Sequence, residues 1–147
     1  MSSFSQFSKR MGKIATDVEV NADKTARKTV LAVDQAVVLS TPVDKGRARS
    51  NWVAELDVPF EGELEPYVAG EALGLGEAGN ASAALAQAAA VASAYNGNIN
   101  SEVHITNNLP YIQVLNDGSS DQAPANFVEE AVIEGTRAVK DAKLLED

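Results

Sequence analysis

Apolar residues recur every three or four positions along the first forty residues: Phe4, Phe7, Met11, Ile14, Val18, Ala22, Ala26, Val30, Val33 and Val37. That period places them on one stripe of a single amphipathic helix. Lys9, Arg10, Lys13, Asp17, Asp23, Lys24, Arg27 and Lys28 fall off the stripe. Ser2 or Ser3 can cap the start, and Pro42 disfavours helix at Thr41. The spacing predicts a helix from about Ser3 to Leu39, roughly 55 Å long at a rise of 1.5 Å per residue. A domain of this size cannot cover that length with its own sheet. Part of the stripe is therefore expected to overhang and to contact another subunit. The competing reading is a break near Asn21 that leaves two shorter helices.

After the helix the period changes. Thr41–Ser50 is a polar loop containing Pro42 and Gly46. Ser50–Val58 alternates as a strand does, with Trp52, Ala54 and Leu56 on one side and Val53, Glu55 and Asp57 on the other. Pro59–Asn80 is rich in Gly and Glu and reads as an exposed connection with room for a short strand at Tyr67–Ala69. Asn80 or Ser82 is expected to cap an Ala-rich helix that runs to about Tyr95 and stops at Asn96-Gly97. Glu102–Thr106 is a short strand, and Tyr111–Leu115 a helical turn ended by Asp117-Gly118. Pro124 suits the start of a last helix, whose stripe is Phe127, Val128, Ala131, Val132, Thr136 and Val139.

These elements define an α+β chain. A long N-terminal amphipathic helix and a C-terminal helix are expected to pack on a small, mainly antiparallel β-sheet, with the Ala-rich helix in the middle. The 147 residues suit one domain. Residues 1–40 form the long helix; 41–123 hold the sheet, the acidic loop and the Ala-rich helix; 124–144 form the C-terminal helix.

Composition adds exclusions. Aromatics make up 5% of the chain, so the core must rest on Ala, Val, Leu and Ile. There is no cysteine, which excludes disulfides, thiolate metal sites and Cys nucleophiles. Met1–Arg10 has no apolar core of the kind a secretory signal needs, and the stretch from Ala81 to Ala94 is too short to span a bilayer. The expectation is a protein of a reducing aqueous compartment, or of a particle assembled there, with no membrane partner.

The net charge of −9 is unevenly spread. Residues 1–49 carry nine bases against five acids, hence +4. Between Ser50 and Thr136 there are thirteen acids and no Lys or Arg, hence −13. Such a segment is a poor ligand for phosphate backbones, whose affinity comes from Lys and Arg displacing counterions. It is either a solvated acidic surface, or a face that must lie near DNA without adhering or must meet a basic partner. Glu61, Glu63, Glu65, Glu71 and Glu77 are the candidate lumen-facing or partner-facing acids.

Catalytic patterns are weak. Residues 74–79 match GxGxxG, but a dinucleotide site needs a firm strand before it and an acid closing the next strand, and Thr106-Asn107-Asn108 has none. A mobile glycine loop is the better reading. His104 is the only histidine, and no GxSxG turn places a nucleophile. The scarcity of aromatics argues against a sugar cleft. No catalytic residue, cofactor or metal is assigned. The densest basic cluster is Lys45-Gly46-Arg47-Ala48-Arg49. Arg47 and Arg49 share parity and would point the same way in extended chain. They serve either to discourage stray edge pairing or as inter-subunit contacts to an acidic neighbour, such as the −13 segment of the next copy.

The segment Thr41–Trp52, TPVDKGRARSNW, resembles the TPVDTGxxRxxW loop-to-strand signature of small tailed-bacteriophage neck and tail-completion proteins. Residues 107–128, NNLPYIQVLNDGSSDQAPANFV, look like the second block of the same family, NxxPY followed by GSxQAP and the last helix. Order and spacing agree, and the long helix ahead of the first block is also family-like. Lys45 stands where the family usually has Thr, and Asn116 where it more often has Glu. Pro42, Gly46, Trp52, Tyr111, Gly118 and Pro124 are expected to shape the fold: Pro42 and Gly46 turn the chain, Trp52 anchors helix to sheet, Tyr111 covers the core beside it, Gly118 permits a turn and Pro124 starts the last helix.

The resemblance implies a structural virion protein forming a ring, usually sixfold, at the head–tail junction. It would complete or join the tail to the head connector and let DNA pass without sequence-specific binding. Its partners would be further copies of itself, head connector or adaptor proteins, and tail terminator or tail tube proteins. It would be assembled in the host cytoplasm. The alternative within that class is a head-closure or tail-terminator ring; a small enzyme using the Glu-rich loop and a cellular oligomeric adaptor are the alternatives outside it.

Overall fold

Proline is absent from the first 41 residues, and the one early glycine, Gly12, does not interrupt the helical hydrogen bonding. The computed structural model, which describes residues 3–43, 46–68, 77–97 and 101–140, accordingly has one unbroken helix, α1, over Ser3–Ser40. There is no break at Asn21. The other described elements are α2 (Arg47–Ser50), β1 (Val53–Leu56), α3 (Glu77–Ala94), β2 (Val103–Thr106), α4 (Ile112–Asn116) and α5 (Phe127–Val139). The fold is α+β.

α1 ends through side-chain chemistry. The Thr41 hydroxyl donates to the Val37 carbonyl at 2.6 Å, and Arg49 donates from Nε to the Thr41 carbonyl and from a terminal nitrogen to the Leu39 carbonyl, each at 3.1 Å. A helix C-terminus leaves carbonyls without intrahelical partners, and a cation there also meets the negative end of the helix dipole. Arg49 is only 9% exposed, so this cap is built into the interior.

β1 and β2 pair antiparallel, Val53 with Thr106 through Leu56 with Val103. A two-stranded ribbon is marginal by itself. Here α3 supports it: the Gln87 side-chain amide accepts from Ala54 N at 2.9 Å and donates to Ala54 O, standing where a third strand would pair. α3 lies close because its inner face is Ala81, Ala84, Ala88 and Ala92, all buried. The core is Val37 and Val38 of α1, Trp52, Ala81 and Ala84 of α3, and Ala131 of α5.

The C-terminal helix, α5, packs chiefly on α1. It begins at Phe127, after Asn126 in the left-handed conformation (φ 63°), so Pro124 lies three residues ahead of it and is exposed. Its inward face is Phe127, Ala131 and Gly135, whereas Val132 and Ile133 point outward at 41% and 54% exposure. The reason is close approach. A Cβ on Gly135 would lie 2.7 Å from Val33 Cα and 2.8 Å from Val33 N, so only glycine lets α5 sit this near α1.

Three further readings are corrected. Thr41–Ser50 is not all loop, since residues 47–50 form a helical turn after Gly46 in the left-handed conformation (φ 80°). Tyr67 and Val68 are in a bend rather than a strand, and Ala69 lies outside the described residues. Asn80 does not cap α3; it sits inside the helix, fully buried.

Candidate functional site

The two sequence blocks, 41–52 and 107–128, come together in space. Gln122 clips the first block as Gln87 clips β1: its Oε1 accepts from Val43 N at 2.9 Å and its Nε2 donates to Val43 O at 2.8 Å. Asn107 Nδ2 donates to the Ala48 carbonyl at 2.9 Å. Between the blocks lies a cavity of about 400 Å³. Its walls are Pro42, Val43 and Ala48 from the first block and Tyr111, Leu115 and Gln122 from the second, with Ser120 and Arg47 at its margin.

Gly118 shapes that wall. Its φ of 95° suits glycine, and the Ala125 Cβ would lie 3.1 Å from an added methyl. Gly46 is similarly constrained, because a Cβ there would run into the Asn80 amide. Asn80 is the hub of the neighbouring turn: its Oδ1 accepts from Ser50 Oγ and Val68 N, and its Nδ2 donates to Val68 O. Asn51 repeats the device on Leu64, accepting from its N at 2.7 Å and donating to its O at 2.8 Å.

The two arginines part company. Because residues 47–50 are helical, the shared direction expected of an extended chain is lost. Arg47 turns outward and pairs with Glu63 at 2.9 Å, with Glu65 at 3.9 Å, and its Nε is buried with no hydrogen-bond partner. Arg49 turns inward to cap α1, which corrects its reading as an inter-subunit contact. The acids divide as well. Glu61, Glu63 and Glu65 are all exposed, and Glu63 pairs with Arg47. Glu71 lies outside the described residues, as do Lys45 and the first three positions of the GxGxxG match; Glu77 opens α3.

Trp52 stands where the sequence places it, 6% exposed, with its indole N–H on the Thr41 hydroxyl. Tyr111 does not cover the core beside it; it is 38% exposed at the mouth of the cavity. His104 is half-buried opposite Glu55 on β1, with Nε2 3.2 Å from a Glu102 carboxylate oxygen but not aligned to bond it. Among the described residues, no group of three or more acids and histidines stands together as a metal site, and no helix is long and apolar enough to cross a membrane.

Sequence reasoning missed Asp34. It is completely buried on α1, and neither carboxylate oxygen has a hydrogen-bond partner. Burial pushes its carboxyl from the ordinary 3.8 up to about 7. Partial burial, and then the nearby Asp34 charge, raise the Tyr67 hydroxyl above its usual range. The one charged residue between Val30 and Val38 was the available signal.

At its N-terminal end α1 leaves the body of the protein. Phe4 is 77% exposed, Phe7 60%, Met11 49% and Ile14 40%. No protein-family model, curated protein or solved structure matches the chain.

Proposed function

We propose that the chain is a structural protein of a tailed-bacteriophage particle. It forms a ring, sixfold in the particle, at the head–tail junction, where it joins or completes the tail and lets DNA pass. The observation that carries the reading is the bare apolar stripe of α1 from Phe4 to Ile14, because an amphipathic helix is stable in water when that stripe is covered. A second copy covers it without any further component. The likeness of residues 41–52 and 107–128 to neck and tail-completion proteins supplies the setting. The meeting of those two blocks around one cavity supports treating them as one functional unit.

In this reading the acidic stretch from Glu55 to Glu134 keeps the ring from holding the genome, since it contains no Lys or Arg to offer phosphates. The role requires no reaction, cofactor or metal. Neighbours in the particle are the head connector or adaptor on one side and the tail terminator or tail tube on the other. Cryo-electron microscopy of the particle tests the proposal. A ring of this chain between connector and tail is expected; a single copy at that site, or absence of the chain from purified particles, overturns it.

A further inference from the structure

We infer that the N-terminal tip of α1 in one copy docks in the Pro42–Gln122 cavity of a second copy, with Phe4 and Phe7 as the inserted side chains. The inference deepens the ring reading and rests on it in taking a second copy of this chain as the occupant.

Size and chemistry match. Phe4 and Phe7 are two of only four phenylalanines, and both stand at the tip of one stripe. A void of about 150 Å³ holds a benzene ring, so the cavity of about 400 Å³ has room for both rings. Pro42, Val43, Ala48 and Leu115 offer them apolar walls, and Tyr111 an aromatic face. Aromatic side chains seated in a pocket are the usual anchors of a protein interface.

Charge matches too. The only charged residues between positions 3 and 16 are Lys9, Arg10 and Lys13. Arg47, which lines the cavity, pairs with both Glu63 and Glu65, so carboxylates outnumber cations there among the described residues. A basic collar behind two aromatic knobs therefore approaches an acidic rim around an apolar hole.

Geometry decides between self-occupation and assembly. The knobs are at the first turn of α1, and the cavity begins at Pro42, two residues past its last turn. About 50 Å of rigid helix lies between Phe7 and the end of α1, so a chain cannot fill its own cavity. The contact is head-to-tail, and a head-to-tail contact propagates until it closes a ring or runs on as a filament.

Site-specific crosslinking of the full chain tests this, because the protein has no cysteine of its own. Ser8→Cys beside Phe7 and Ser120→Cys at the cavity margin are combined in one chain and oxidised at millimolar protein. The expected result is a reducible ladder whose disulfides join position 8 of one chain to position 120 of another. Adding Phe4→Ala and Phe7→Ala slows its formation about tenfold or more, as loss of interface anchors does. Lys9→Glu, Arg10→Glu and Lys13→Glu together slow it at low salt. Disulfides from 8 to 8, which would mean that the tips pair with each other, overturn the inference. So does a yield no greater than that of an exposed control, Ser8→Cys with Ser82→Cys. A ladder with no fixed upper size keeps the docking and overturns the ring; a ring seen in particles without 8–120 crosslinks keeps the ring and overturns the docking.

Discussion

Trp52 donates its indole N–H to the hydroxyl of Thr41 at 2.7 Å, and that hydroxyl in turn donates a hydrogen bond to the Val37 carbonyl. One buried oxygen thus ties the start of β1 to the end of α1. Trp52→Ala is expected to cost about 3–5 kcal/mol through the cavity it leaves. Trp52→Phe keeps most of the volume and loses the bond, at about 1 kcal/mol. Urea unfolding checks both; an alanine variant that melts with the parent contradicts the anchoring role.

Asp34 makes stability depend on pH. Its folded-state pKa of about 7 is raised above the ordinary 3.8, so between those values the folded form holds a proton that the unfolded form has released. Stability therefore falls as pH rises from about 4 to about 7, by about 1.4 kcal/mol per unit, and levels off above. The whole loss is about 4 kcal/mol. Asp34→Asn should flatten the slope. Chemical denaturation at several pH values between 4 and 8 measures it, and a parent profile that is level across that range rules out the assignment.

Gly135→Ala is expected to cost about 1–3 kcal/mol, because the added methyl meets the backbone of Val33, which cannot turn aside as a side chain would. The same change at Gly12, where a Cβ meets nothing within 4 Å, should be neutral or stabilising. Thermal melts of the pair separate close packing from helix propensity.

Charge and packing separate at the acids. Converting Glu61, Glu63, Glu65, Glu71 and Glu77 to Gln should shift monomer stability by no more than a fraction of a kcal/mol at each exposed position. Loss of the Arg47–Glu63 pair adds little, since both partners are more than a third exposed. The effect is expected in assembly or genome passage, read as particle yield and infectivity. Wild-type yield from the five-fold variant would leave these residues as a solvated surface.

Much of this was legible in the sequence, for physical reasons that differ by element. α1 announced itself because 38 residues repeat one period with no proline among them. β1, β2 and the Gly118 turn followed from alternation and from turn residues. The face of α5 was misjudged because Gly135 carries no hydrophobic signal; its contribution is the absence of a side chain. Asn80 was misjudged because capping rules place asparagine before a helix, whereas this one pairs with backbone from inside it. The paired Gln122–Val43 contact joins residues 79 positions apart and involves no apolar atoms, so no periodicity reports it. Pro42, Arg47 and Tyr111 were each visible as motif residues, but the cavity they share was not.

α1 is also a lever. Its later turns are gripped by α3 and α5, while its first turns carry the exposed phenylalanines. Any tilt in the gripped part is magnified at the tip in proportion to the length between them. The stop that sets the tilt is where Val33 rests on Gly135. In a closed circle of such chains, the direction in which each tip leaves its body fixes how many copies complete the turn. The diameter of the opening would then be written in a contact inside one chain, and a substitution that touches no neighbour could change it.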